Sequence, residues 1–221
     1  MAQVFDRSAN VLARASIIGG ALAAVAIVTI ASVIYRSPVL TQVDIVKAQP
    51  VPFSHQRHVG ANGIDCRYCH TSVEKSGVAN VPPTETCMTC HSQILTDSPM
   101  LQPVHESWKT GKPLEWTRVY DVPDFVYFDH SIHVAKGMGC TTCHGEIQTM
   151  PLTRKANTLH MAWCLQCHRA PEKFIRPKDK VFDVEWMPAA DKSERLDAGR
   201  KLVEEYNVNV EQLTNCSICH R

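Results

Sequence analysis

Apolar positions are very unevenly distributed along this chain. Residues 15–35 form one uncharged run between Arg14 and Arg36. As a helix it would be about 31 Å long, the thickness of one hydrocarbon core. The run exceeds the apolar region of a signal peptide, about 7 to 15 residues, and the Ile34 Tyr35 Arg36 Ser37 Pro38 step is too bulky for a small-x-small cleavage site. A buried core helix or a cleaved leader fits these features less well than an uncleaved transmembrane anchor over residues 1–36. Residues 37–52 carry Pro38, Pro50 and Pro52 without a helical period, which predicts an extended linker. The remainder is polar and proline-rich, strand signals are scarce, and Gly60, Gly63, Pro82 and Pro83 punctuate it. Short helices joined by irregular loops are expected there. One longer helix is predicted where Asp191 Lys192 Ser193 Glu194 reads as a capping box ahead of Leu196, Leu202, Val203 and Tyr206. The fold class is therefore mainly α and irregular.

Cysteine usage changes the picture. All ten cysteines fall in five Cys-x-x-Cys pairs: Cys66 with Cys69, Cys87 with Cys90, Cys140 with Cys143, Cys164 with Cys167, and Cys216 with Cys219. The pairs alone would suit disulfides, or two zinc sites with one pair left over. The next residue decides between these readings, because it is a histidine every time: His70, His91, His144, His168 and His220. With 11 histidines in 221 residues, that coincidence has a chance probability of roughly three in ten million. Cys-x-x-Cys-His is the attachment signature of c-type haem, in which the sulfurs bond the porphyrin and the histidine reaches one face of the iron. Five c-type haems are expected.

The motifs are also duplicated. Phe53 Ser54 His55 Gln56 Arg57 His58 precedes Cys66, and Phe128 Asp129 His130 Ser131 Ile132 His133 precedes Cys140. The displacement between copies is 75 residues for Phe and both histidines, 74 for the first cysteine pair and 77 for the second. In each copy the two imidazoles are one helical turn apart, so one short segment can approach two irons from their open sides. That organisation predicts a first di-haem module with its connector over 53–127, a second over 128–175, and a C-terminal segment over 176–221 carrying the fifth haem. With His55, His58, His130 and His133 as distal ligands, four irons become six-coordinate and keep no open position for a substrate. An electron-transfer role follows, without catalysis. The distal ligand of the fifth haem is open among Met161, Met150, His160 and His105, and a thioether there would raise its potential. With roughly 185 residues outside the membrane and five porphyrins, the haems are expected to supply most of the buried apolar surface.

Charge and topology narrow the partners. The polypeptide is formally +1, and ten ionised propionates would bring the holoprotein to roughly −9 with reduced irons, which disfavours nucleic acid. Arg7 and Arg14 favour an inside amino end and Arg36 opposes it. Bacterial c-type haem is attached outside the cytoplasmic membrane, so a single-pass inner-membrane protein with its bulk in the periplasm is expected.

Residues 116–118, Pro123 to His133, Cys143 His144 Gly145, Met161 to Leu165 and Cys167 His168 Arg169 resemble the pentahaem cytochrome subunit of alternative complex III. Each module separately resembles the class III multihaem cytochromes, in which Phe-x-His-x-x-His plays the distal role. The resemblance implies that His55 ligates the haem of His70 and His130 the haem of His144, with His58 and His133 reaching other haems. Tyr120 stands where a histidine is common in that family, so a ligand role is lost at this position. The resemblance further implies a relay in a quinol-oxidising respiratory complex, delivering electrons to a periplasmic cytochrome c or a terminal oxidase. Its partners there would be an iron-sulfur subunit, quinol-binding integral membrane subunits, a mono-haem cytochrome c and membrane lipid. A free-standing membrane-anchored multihaem quinol dehydrogenase is the alternative; four-haem members of that type carry a methionine after the first haem histidine, where Thr71 Ser72 Val73 stands here. Pentahaem nitrite reductases replace one motif histidine by lysine and are much larger, which argues against a reductase.

Overall fold

The computed structural model describes residues 4–6 and 8–220. It divides into two units, residues 1–42 and 43–221. In the first, α1 runs over Ser8–Arg36 for 29 residues, about 43 Å of helix. It starts earlier than the apolar run because Asp6 accepts from the Ser8 backbone N–H at 3.0 Å and so pairs a free amide at the helix start. No α1 residue is buried, and among the described residues it is the one helix long and apolar enough to cross a membrane. A short turn, α2 (Pro38–Thr41), follows the break at Ser37.

The second unit opens on extended chain. Asp44 N–H donates to the Lys155 carbonyl at 2.8 Å, and Val46 pairs antiparallel with Arg154. Gln49 exchanges side-chain hydrogen bonds with the Thr117 backbone at 2.8 and 2.9 Å. The segment expected as a linker over 37–52 thus parts at residue 42, and its second half is hydrogen-bonded into the unit that follows. Beyond it come α3 (Cys66–Cys69), α4 (Thr84–His91), α5 (Gln102–Thr110), α6 (His130–Ala135), α7 (Cys140–His144), α8 (Met161–Arg169), α9 (Lys192–Glu205) and α10 (Cys216–Cys219). Isolated bridges are the only β pairing among the described residues.

Local chemistry places the ends of these helices. Asp65, Asp129 and Asp191 are the N-caps of α3, α6 and α9, accepting backbone N–H bonds at 2.8, 2.8 and 2.9 Å from Arg67, Ser131 and Glu194. The two Phe-x-His-x-x-His segments differ in one respect. The first copy has one residue more between its second histidine and its first cysteine. The chain absorbs it as a π-turn over Gln56–Ala61, where Asn62 N–H reaches back five residues to the Arg57 carbonyl. The imidazoles keep their places while the insertion bulges out.

The core is thin for a unit this long. Its buried apolar side chains among the described residues include Val51, Val73, Val104, Ile147, Met150, Ile175, Val181 and Tyr206, far less than an ordinary domain of this size encloses. Close backbone contacts hold the rest. Gly199 of α9 lies so near the Glu172 carbonyl oxygen that any Cβ would overlap it. Gly139 leaves room for the Arg176 guanidinium, which is 6% exposed. Tyr206 at the end of α9 accepts Lys136 Nζ on its carbonyl at 2.6 Å, and its hydroxyl accepts the Lys178 N–H at 3.1 Å. The C-terminal segment is thereby fastened to the loop ahead of α7.

Candidate haem sites

Each Cys-x-x-Cys pair lies on a short helix of its own: α3, α4, α7, α8 and α10. Three residues are nearly one helical turn, so both thiols face the same side and the following histidine sits at the helix end. All ten cysteines are free, with no disulfide among them. Burial pushes the Cys143 thiol up to about 12 and the Cys167 thiol up to about 11, so both are neutral thiols at neutral pH.

Two of the ten expected attachment residues depart from the rest. Cys90 and Cys216 are exposed, whereas the other eight cysteines are partly buried by the polypeptide. For Cys90 the cause lies in how α4 is held. Thr84 at its start shares a hydroxyl–hydroxyl bond of 2.7 Å with Ser107 of α5, while Cys90 and the neighbouring Thr89 stand at the other end, on the surface. Cys216 opens α10, the last helix among the described residues. Exposure of Cys90 and Cys216 does not remove them from the donor set, because a sulfur must be reachable to bond a porphyrin edge.

Imidazoles meet in pairs. Ring centres are 6.1 Å apart for His58 and His91, 6.4 Å for His130 and His144, and 6.2 Å for His133 and His168. A metal–imidazole bond is about 2 Å and a ring centre lies roughly 1.1 Å behind its nitrogen, so two imidazoles on opposite faces of one metal would stand about 6.2 Å apart. The three pairs match that spacing. His55 lies close enough to His70 and His58 that both, after burial, pull its pKa down to about 4. Among the described residues no group of three or more His, Cys, Asp or Glu side chains converges to hold a metal ion. Facing imidazole pairs at this spacing would suit an iron carried in a haem.

The second nitrogen is also arranged in eight of these nine rings, all but His144. His58 and His133 donate Nδ1–H to the carbonyl four residues earlier, Ser54 at 2.8 Å and Asp129 at 2.6 Å. His70, His91, His168 and His220 donate to the carbonyls of Asn80, Ile94, Leu213 and Phe125, at 2.6, 3.1, 2.8 and 3.3 Å. His130 Nδ1 reaches the Gly77 carbonyl at 2.9 Å and His55 Nδ1 the Thr153 hydroxyl at 3.0 Å. A carbonyl only accepts, so the proton sits on Nδ1 and the Nε2 lone pair is left to bind a metal. Burial keeps His144 neutral as well, its pKa pulled down to about 4, and His130, His70 and His55 act in the same direction.

The phenylalanines of the repeated segments have a role that spacing alone did not reveal. Phe53 stacks on His58 at 4.4 Å and 24° and meets His55 edge-on at 4.9 Å and 86°. Phe128 does the same for His133, at 4.6 Å and 26°, and for His130, at 4.7 Å and 90°. One ring therefore wedges two imidazoles apart and fixes both planes.

The candidates for the fifth distal ligand occupy four different settings. Met150 is a buried core side chain whose methyl lies near Gly145, and Met161 is 61% exposed at the start of α8. His105 sits on α5 with its Nε2 buried and without a hydrogen-bond partner, and His160 is the N-cap of α8. Tyr120 packs edge-on against His144 at 4.4 Å, and its hydroxyl bonds the His144 and Arg154 carbonyls and the Ala156 N–H. It braces the ring it cannot replace. Arg176 donates to the Thr141 and Thr142 hydroxyls at 3.1 and 3.4 Å, placing a buried cation on the turn that carries Cys140. Its other contacts are local, with the Lys180 and Asp183 carbonyls at 3.4 and 3.2 Å and the Trp186 ring, so the sequence near Arg176 does not announce the approach to Thr141 and Thr142.

The family model described as cytochrome c7 and related cytochrome c matches residues 51–106 and 126–221, the stretches that contain all of these sites. A relative, the menaquinone reductase multiheme cytochrome c subunit of Nitratidesulfovibrio vulgaris (strain Hildenborough), is 38% identical over 99 residues, covering 44% of this chain and 46% of that protein. The matched part is under half of either chain. Repeated Cys-x-x-Cys-His turns, paired imidazoles and a family match over most of the chain agree: this protein belongs to the cytochrome c7 and related cytochrome c family, multihaem electron-transfer proteins of c type.

Proposed function

We propose that this chain is a membrane-anchored pentahaem cytochrome c that relays electrons within a quinol-oxidising respiratory complex of the alternative complex III type. The observation that carries this reading is the set of imidazole pairs at 6.1 to 6.4 Å in which every ring but His144 has its Nδ1 hydrogen-bonded. The haems are held by Cys66 and Cys69, Cys87 and Cys90, Cys140 and Cys143, Cys164 and Cys167, and Cys216 and Cys219; His70, His91, His144, His168 and His220 are the proximal ligands. His55, His58, His130 and His133 are distal ligands, and His58 serves the iron of His91 while His133 serves that of His168. When bound, a c-type haem supplies one-electron redox chemistry. With these ligands, four irons would have both faces closed by imidazoles and would be suited to exchanging electrons without binding substrate. α1 anchors the chain, with residues 43–221 on the periplasmic side. The partners are an iron-sulfur subunit, quinol-binding membrane subunits and a mono-haem cytochrome c or terminal oxidase.

The name of the relative favours a second reading, in which the same relay runs the other way and delivers electrons to a quinone-reducing complex. Purification in mild detergent tests both. Five haems per chain by pyridine haemochrome, a low-spin spectrum and co-purifying membrane subunits are expected; a solitary cytochrome of 24.7 kDa or fewer than five haems overturns the proposal. Quinol-driven reduction of this chain in the purified complex selects the first direction, and quinone-driven oxidation alone selects the second.

A further inference from the structure

Contacts between attachment sites follow an order different from their order in the chain. Tyr68 in the 66–70 motif and Thr89 in the 87–91 motif share a hydroxyl–hydroxyl bond of 2.8 Å. The segment carrying His55 and His58 spans the same two sites, with His58 against His91 and His55 against His70. On its other side the 66–70 site meets 140–144. The Cys66 and Cys140 side chains are neighbours, and Gly77, in the loop after His70, accepts on its carbonyl both the backbone N–H and the Nδ1–H of His130 at 3.2 and 2.9 Å. His130 is the ring that faces His144. Sites 140–144 and 164–168 are then joined by α6, which presents His130 to His144 and His133 to His168. Finally, His168 bonds the Leu213 carbonyl at 2.8 Å, three residues ahead of Cys216.

We infer that the five sites lie in single file in the order 87–91, 66–70, 140–144, 164–168, 216–220. The inference rests on the reading that each motif carries a haem. Both Phe-x-His-x-x-His segments act as internal bridges, and the two copies meet head to head through their first sites. Duplication alone would suggest that the end of the first copy abuts the start of the second. The contacts instead bring the two starts together and leave 87–91 at one end of the file and 216–220 at the other. These two ends hold the two exposed thiols, Cys90 and Cys216. Among the described residues no hydrogen bond joins those two sites. They are consequently the positions through which electrons enter and leave the file.

Iron anomalous scattering from the unmodified holoprotein, alone or within its complex, tests the order directly. The expected map shows five irons in which those of 66–70 and 140–144 are neighbours and those of 87–91 and 216–220 each have a single neighbour. Five irons with 66–70 at an end, or with 87–91 beside 164–168 or 216–220, overturn the order and leave the relay reading standing. Fewer than five irons overturn the relay reading and, with it, the order.

Discussion

Replacing Phe128 with alanine isolates the role of the wedge between two imidazoles. The ring contacts His133 face to face at 4.6 Å and His130 edge to face at 4.7 Å. Each aromatic contact is worth about 1 kcal/mol beyond buried area. At 1.4 kcal/mol per factor of ten, each imidazole should then spend roughly fivefold more time away from its iron. Carbon monoxide reads that population, because it binds ferrous iron only at a position the distal imidazole has left. Phe128→Ala with its full haem content should take up carbon monoxide about fivefold faster at two irons, and Phe128→Tyr, which keeps the stacked ring, should match the wild type. The equivalent Phe53→Ala should affect the other two bis-histidine irons, since Phe53 contacts His58 and His55 in the same geometry. Uptake by Phe128→Ala that is faster by less than about 1.5-fold would refute the positioning argument.

Three further outcomes are expected. Arg176→Gln removes a buried cation beside Cys140 and should lower the midpoint potential of one haem by on the order of tens of millivolts while Arg176→Lys largely preserves it, as read by redox titration, because a nearby positive charge disfavours the oxidised iron. Gly199→Ala puts a methyl into the Glu172 carbonyl and should cost about 1 to 3 kcal/mol, seen as a lower melting temperature with unchanged haem content. The hydrogen bonds from the Arg67 side chain hold the Asp65 carboxyl below the usual carboxylate range. A depressed folded-state pKa gives stability that is present above about pH 4 and lost as pH falls through the lower folded value. Asp65→Asn should therefore be slightly less stable than wild type at pH 7, by under about 1 kcal/mol for this exposed pair, and the gap should close as acidification protonates Asp65 in the folded state. A gap that widens on acidification would reverse the sign and the argument.

Covalent chemistry and local signals were legible in the sequence. Cys-x-x-Cys-His is a contiguous requirement, so all five attachment turns could be read without a fold, and each lies on its own short helix. The apolar run announced α1, and Asp191 announced α9, because membrane-spanning length and N-capping depend only on neighbouring residues. The pairing of imidazoles is of another kind. His133 faces His168 from 35 positions away in the chain, and the head-to-head meeting of the two copies depends on Gly77, Cys66 and Cys140 coming together. Nor does any motif residue say that Cys90 and Cys216 are left exposed while their counterparts are covered. A histidine is the same residue whichever iron it serves. Sequence by itself thus determined which side chains form the five Cys-x-x-Cys-His motifs proposed to hold haem and that short helices would bear them, whereas the partner of each ring, the π-turn that hides an inserted residue, and the buried cation at Arg176 were decided by packing between segments distant in the chain.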